Sequence, residues 1–201
     1  MNLKQQQAQT SRQNFIHSAI SLIEEKGYNG MTVQDICERT GKSIGAFYHH
    51  FSSKEDVIIA AYREFDDLLQ ESYHLERFDR WDQAITYLLD AYLDYASNNG
   101  LEFARATIIA QLSIKNAYIT DHSRLFYHCM AQAIERGKAE GALSKDTDPD
   151  SLCDWFMRTV RGSIFAWVLQ DGLPSLPEIG QNDYRAVFHM LEADCGHEMG
   201  N

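Results

Sequence analysis

Proline is scarce in this chain, with three in 201 residues and none before position 149, so most of the sequence escapes the residue that most often interrupts a helix. No apolar run approaches the roughly 18 residues needed to cross a bilayer. The opening residues, Met-Asn-Leu-Lys-Gln-Gln-Gln, lack the apolar core of a signal peptide, so a cytoplasmic location is expected. Cysteine is sparse and scattered at Cys37, Cys129, Cys153 and Cys195. Without a Cys-x-x-Cys pair these read as separate thiols in a reducing compartment. Enzyme signatures are missing too: there is no nucleophile–base pair at local spacing, no phosphate-cradling glycine loop and no Asp/Glu/His metal motif. Internal repeats are absent, and the one low-complexity stretch is the Gln run at 5–7.

Positive charge is also in short supply, at 18 Lys+Arg against 29 Asp+Glu and a net charge of −11. The deficit is uneven. Residues 1–54 hold six basic side chains (Lys4, Arg12, Lys26, Arg39, Lys42, Lys54) against four acidic ones (Glu24, Glu25, Asp35, Glu38), a balance of +2 that leaves −13 for the rest. A basic head on an acidic body favours approach to nucleic acid from one side only.

The pattern that remains is helical. Phe15, Ala19, Leu22 and Ile23 recur at helical spacing between Arg12 and Lys26, and Gly27 marks a C-terminal stop. Thr32-Val-Gln-Asp35 is an N-cap with a carboxylate three residues on, opening a short helix that Gly41 ends. Ser43 caps a second short helix, 44–50. Ser53 with Asp56 opens a long one over about 54–73, which spans roughly 30 Å. Further helices are expected near 80–98, 101–115, 121–140, 149–170 and 181–194, and Asp148-Pro149 is a clear start signal. Residues 149–170 are apolar over more than one face, as suits a central or subunit-interface helix.

Two short helices joined by a tight turn at 32–50 form a helix-turn-helix, whose second helix enters the major groove of DNA. Its first turn should be small or hydrogen-bonding. Gly45 and Ala46 let the backbone approach, and the Ala46 methyl can touch a thymine methyl. Amides capped by Ser43 suit a phosphate. Tyr48 and His49 can donate to phosphate or base edges, Lys42 and Lys54 can contact the backbone, and Thr32 can offer its N–H and hydroxyl. Phe47 and Phe51, four apart, should anchor the helix. Thr32 and Ser43 read equally well as caps alone, Gly45 as a packing glycine, and Tyr48-His49-His50 as a surface patch.

Residues 10–56 resemble the DNA-binding domain of the TetR family of transcriptional regulators. The resemblance runs through Gly-Tyr-Asn-Gly-Met-Thr-Val-Gln-Asp-Ile, Thr-Gly-Lys-Ser-Ile-Gly-Ala-Phe-Tyr-His-His-Phe and Ser-Lys-Glu-Asp. It implies DNA contacts from Thr32, Lys42, Ser43, Ile44, Gly45, Ala46, Tyr48, His49 and Lys54, with His50 as a phosphate contact or capping group. Lys42 departs from the apolar residue usual in the turn. The implied architecture is all-α. A three-helix helix-turn-helix domain (8–54) is joined by a long helix to a larger helical effector-binding and dimerisation domain (55–201). The implied function is a ligand-responsive repressor that binds a palindromic operator as a homodimer and is released by a small hydrophobic or aromatic effector.

By the same resemblance the last two helices form the dimer contact, with Trp155, Phe156, Arg161, Phe165, Trp167, Phe188 and Leu191 as candidates. An effector pocket among the middle helices would draw on Phe65, Leu69, Tyr73, Trp81, Tyr87, Tyr92, Phe103, Ile108, Gln111, Leu112, Phe126 and Met130. Aromatics at helical spacing read first as plain core. A rival reading is a metal- or thiol-redox-sensing DNA-binding regulator using His122, His128, Cys129, His189, Cys195 and His197, although no pair among them has zinc-site spacing. No cofactor and no resident metal is expected.

Overall fold

The computed structural model describes residues 3–114 and 118–198, with side chains as far as residue 191. In order come α1 (Leu3–Gly30), α2 (Val33–Thr40), α3 (Ile44–His50), α4 (Lys54–Ser72), α5 (Trp81–Asn98), α6 (Leu101–Ser113), α7 (Leu125–Ala139), α8 (Pro149–Leu169) and α9 (Leu176–Glu198). The described residues are all-α and contain no strand.

The start signals read from sequence are present as hydrogen bonds. The Thr32 hydroxyl accepts the Asp35 N–H, while the Asp35 carboxylate accepts the Thr32 N–H, a reciprocal box opening α2. The Ser43 hydroxyl oxygen accepts from the Ala46 N–H, and the Asp148 carboxylate accepts from the Ser151 N–H. Gly41 sits in the left-handed region at φ 63, ψ 25 and closes α2 on the Cys37 and Glu38 carbonyls. Gly27, at φ 69, breaks α1 where a stop was expected, with one more turn beyond it.

Several boundaries differ from expectation, among them the start of α7, at Leu125 rather than 121, and the end of α9, at Glu198 rather than 194. α1 begins at Leu3 rather than near Arg12, because Lys, Gln, Ala and Arg are good helix formers that carry no apolar period. α9 begins at Leu176 rather than 181, with Pro177 in its first turn, where a missing N–H costs nothing.

The helices gather into two compact units. The first comprises residues 3–65 with 99–114 and 118–120, and the second residues 66–98 with 121–198. α4 therefore runs from one into the other. In the first unit Phe15, Phe47 and Phe51 form an aromatic core with ring centroids 5.4–6.2 Å apart. α6 joins that same unit by packing on α1. The Glu24 carboxylate of α1 accepts the Phe103 N–H at 3.0 Å, capping the first turn of α6. Gly100 makes room for it: a Cβ there would lie 2.5 Å from Glu24 Oε1, and the φ of +91 already favours glycine.

In the second unit α5, α7, α8 and α9 pack together. Tyr92 meets Phe126 and Phe156 meets Phe188, with centroids 5.4 and 5.0 Å apart. Gly180 leaves space for Leu93, and Gly137 for the Trp81 ring. A buried ion pair ties α4 to the start of α7, with Arg124 Nε and Nη2 each 2.8 Å from the Asp66 carboxylate.

Candidate nucleic-acid interface

α3 is a short helix held by one face and open on the other. Phe47 is completely buried and Phe51 nearly so, while Ile44 and Tyr48 are 50% and 56% exposed. Lys42, Ser43, Gly45 and His49 are exposed as well, and Ala46 is half-buried. Nothing but its neighbour Ser43 approaches the space a Gly45 Cβ would take, and even Ser43 Oγ stays 3.8 Å away. The open face thus carries small groups, a phenol, an imidazole and one ammonium group, in keeping with a helix that approaches base edges and phosphates.

The supporting side is braced by charge. Arg39 binds Glu25 through two hydrogen bonds of 2.7 and 2.5 Å, pinning α2 to α1. Lys26 donates to Asp35 at 2.6 Å, and this bond together with those from Thr32 holds the Asp35 carboxyl down at about 2. The Thr32 hydroxyl also donates to Asp35, at 2.6 Å. Thr32 is therefore first an organiser of the α2 start.

Lys54 likewise turns inward. Its ammonium donates to the Tyr28 carbonyl at 3.2 Å and the Met31 carbonyl at 3.5 Å, and lies 4.2 Å from the Tyr28 ring centroid. The Tyr28 phenol donates to Glu55, and burial with that bond pushes it up to about 12. His50 is half-buried against Phe15 and Phe51, and burial lowers its pKa, which favours the neutral ring at pH 7. The exposed ammonium beside α3 is Lys42. None of the bracing pairs could be paired from sequence, since Lys26–Asp35, Arg39–Glu25 and Lys54–Tyr28 lie 9, 14 and 26 positions apart.

The expected effector residues fall in both units. In the first, Phe65 and Phe103 are buried, Ile108 and Gln111 are half-buried, and Leu112 stands on the surface at 83% exposure. Both polar atoms of the Gln111 amide are buried and make no hydrogen bond among the described residues. In the second, Leu69, Tyr73, Trp81, Tyr92, Phe126 and Met130 are buried, and Tyr87 is half-buried. Tyr73, Phe78 and Tyr87 form one ring cluster, with centroids 5.3–6.2 Å apart.

Among the expected interface residues, Phe156 and Trp167 are buried within their own unit, and Trp155, Arg161, Phe188 and Leu191 are half-buried. Phe165 is half exposed. It shares a helix face with the exposed Leu169 and with Gly162, above which nothing lies within 4 Å. Of the His/Cys set, His122 bonds Asp154 at 2.9 Å and stacks on Tyr127, Cys129 is buried, and His128 and His189 are exposed. The side chains of Cys195 and His197 lie outside the described residues. No group of three or more His, Cys, Asp or Glu side chains arranged to hold a metal ion occurs among the described residues, and no described helix is long and apolar enough to cross a membrane.

Residues 15–61 match the family model described as "Bacterial regulatory proteins, tetR family". The chain is 30% identical over 101 residues to the transposon Tn10 TetC protein of Escherichia coli, covering 49% of this chain and 50% of that one. Identity with the HTH-type transcriptional repressor AcnR of Corynebacterium glutamicum is 46% over 54 residues, 27% of this chain and 29% of AcnR. The chain thus spans half of the first relative and under a third of the second. The HTH-type transcriptional repressor KstR2 of Mycobacterium tuberculosis is 26% identical over 189 residues, covering 90% and 92% of the two chains. The fold is shared with the transcriptional regulator FadR of Bacillus subtilis, solved with stearoyl-CoA, at TM-score 0.66 and 17% identity over 85% of this chain and 94% of FadR. The matched segment takes in the buried turns of α1, all of α2 and α3 and the first turns of α4, so the chain carries the DNA-binding segment of the TetR family of bacterial regulatory proteins.

Proposed function

We propose that the chain is a ligand-responsive transcriptional repressor that reads a roughly palindromic operator as a homodimer. The observation that carries this reading is the open face of α3, firmly backed by Phe15, Phe47 and Phe51. Lys42, Ser43, Ile44, Gly45, Ala46, Tyr48 and His49 are the contacting residues in this proposal. Thr32, His50 and Lys54 act mainly by positioning them. Residues 8–54 are the DNA-binding domain and 55–201 the effector and dimerisation domain.

Exposed Phe165 and Leu169, four residues apart on α8 and on one face with Gly162, supply the apolar contact for the second copy in this proposal, with Trp155, Arg161, Phe188 and Leu191 as further candidates. A two-fold dimer reads half-sites one helical turn apart, about 34–36 Å.

For the effector, the Gln111 amide supports a site on α6. A buried amide without partners costs about 1–3 kcal/mol, which a ligand carrying a carbonyl or hydroxyl recovers on binding. Buried Phe65 and Phe103 and half-buried Ile108, in the same unit, favour a largely hydrophobic molecule. FadR's stearoyl-CoA is one example of such chemistry in a protein of this fold. Because the Glu24 carboxylate of α1 caps α6, a ligand that shifts α6 pulls on the head directly. It releases DNA only as far as it binds the shifted state better.

The test is a mobility shift, at several salt concentrations, with the DNA upstream of this protein's own coding sequence. The reading expects tight binding at physiological salt and a footprint with two-fold symmetry. Weak, sequence-blind binding both there and to duplexes selected from a random pool would contradict it.

A further inference from the structure

We infer that the first three turns of α1 form a second DNA-contacting surface, which grips the phosphate backbone beside the segment read by α3. This rests on the proposed DNA-binding function. Buried residues of α1 begin only at Phe15, and residues 3–10 are all exposed, so the helix continues roughly 18 Å beyond the core it serves. A surface helix without an apolar stripe has little in its own chain to hold it.

Its charge suits one kind of partner. Residues 3–23 include Lys4 and Arg12 and no Asp or Glu, in a chain whose net charge is −11. The need for such charge is plain within the head. Lys26, Arg39 and Lys54 are spent on Asp35, Glu25 and backbone carbonyls, so the exposed ammonium beside α3 is Lys42.

Position follows from helical phase. Phe15 faces α3, with its ring 5.5 Å from Phe47 and 6.0 Å from His50, and the Arg12 guanidinium lies 5.5 Å from the Phe51 ring centroid. Lys4 precedes Phe15 by eleven residues, close to three full turns, so it shares that face roughly 16 Å further out. Ala8 and Ser11 lie on the same face, while Gln6 is on the opposite one. The extension therefore prolongs the α3 side of the head with a lysine at its end. Phosphate contacts of this kind add affinity and salt dependence without adding sequence information.

The test compares wild type with Lys4→Gln, Ala8→Glu and Gln6→Glu on a duplex selected by the protein from a random pool. Melting temperature serves as the control for folding. Lys4→Gln, which removes one phosphate contact from each protomer of the dimer, should lower the slope of log K against log salt by about 1.8. Ala8→Glu should weaken binding at least tenfold at 0.15 M salt, whereas Gln6→Glu, the same charge on the opposite face, should stay within about threefold of wild type. Trimming base pairs from both duplex ends should weaken wild type and not Lys4→Gln. Unchanged slope and affinity in the variants, or equal losses from Ala8→Glu and Gln6→Glu, would overturn this inference while leaving the DNA-binding reading standing. Failure of wild type to select any duplex would overturn both.

Discussion

The two units differ in the surface they present, along α3 in one and along α8 in the other. The first buries its rings around Phe15, Phe47 and Phe51 and turns hydrogen-bonding groups outward along α3. The second buries a full ion pair, Asp66 with Arg124, and leaves Phe165, Leu169, Leu173 and Met190 between 48% and 72% exposed. A surface rich in donors suits a charged polymer, and exposed apolar side chains suit another protein surface. Under the proposed function the contrast assigns a different partner to each unit, nucleic acid to one and a second copy of the chain to the other.

The contrast breaks most completely if the aromatic backing of α3 is removed. Phe47→Ala should cost about 3–5 kcal/mol and abolish amide-exchange protection along α1–α3. Protection retained there would show that the helix is held by something else. In the second unit, Arg124→Ala leaves the Asp66 carboxylate buried without its partner and should cost about 3–5 kcal/mol. Tryptophan emission reports this unit specifically, since Trp81, Trp155 and Trp167 all belong to it. Replacing both members of the pair by Leu and Met should recover much of the loss, because apolar packing removes the need to desolvate two charges.

Smaller changes sharpen the picture. Lys54→Ala should lower the stability of the head by about 1–2 kcal/mol through its lost carbonyl and ring contacts, with no change in the salt dependence of DNA binding. A lower slope would instead make Lys54 a phosphate ligand. The smallest effect expected is on pH dependence. Burial alone would lower the His122 pKa, but hydrogen bonds to Asp154 and Asp150 outweigh it and hold it above its ordinary value. Its stabilisation is then complete below about 6.5 and is lost as pH rises through the raised folded value. Since the ring is partly exposed, roughly a few tenths of a kcal/mol are at stake. His122→Asn should flatten that part of the stability–pH curve, and an unchanged curve would remove the histidine from the account.

Much of the head could be read from local pattern. Thr32 with Asp35, Gly41 and Ser43 act within four residues of their own positions, and a cap is a local bargain between a side chain and the next free amide. Phe47 and Phe51 announced a buried face by spacing alone. What escaped depends on distant partners. Glu24 finds the start of α6 79 positions away, and Asp66 finds Arg124 58 positions away. Nothing in the neighbourhood of either residue signals the match. Lys54 reads from sequence as a phosphate ligand because a cation beside a recognition helix usually is one, and no neighbouring residue signals its bonds to the Tyr28 and Met31 carbonyls. The start of α1 escaped for the opposite reason: a helix with no apolar period has no signature to read.

The most direct test of the central claim pairs two measurements on Tyr48→Ala, operator affinity and melting temperature. Tyr48 is 56% exposed on the open face of α3, so the account predicts at least a hundredfold loss of affinity with the melting temperature and dimer unchanged. Full operator affinity in the variant, or unfolding in place of lost binding, would contradict the assignment of α3 as the DNA-reading element.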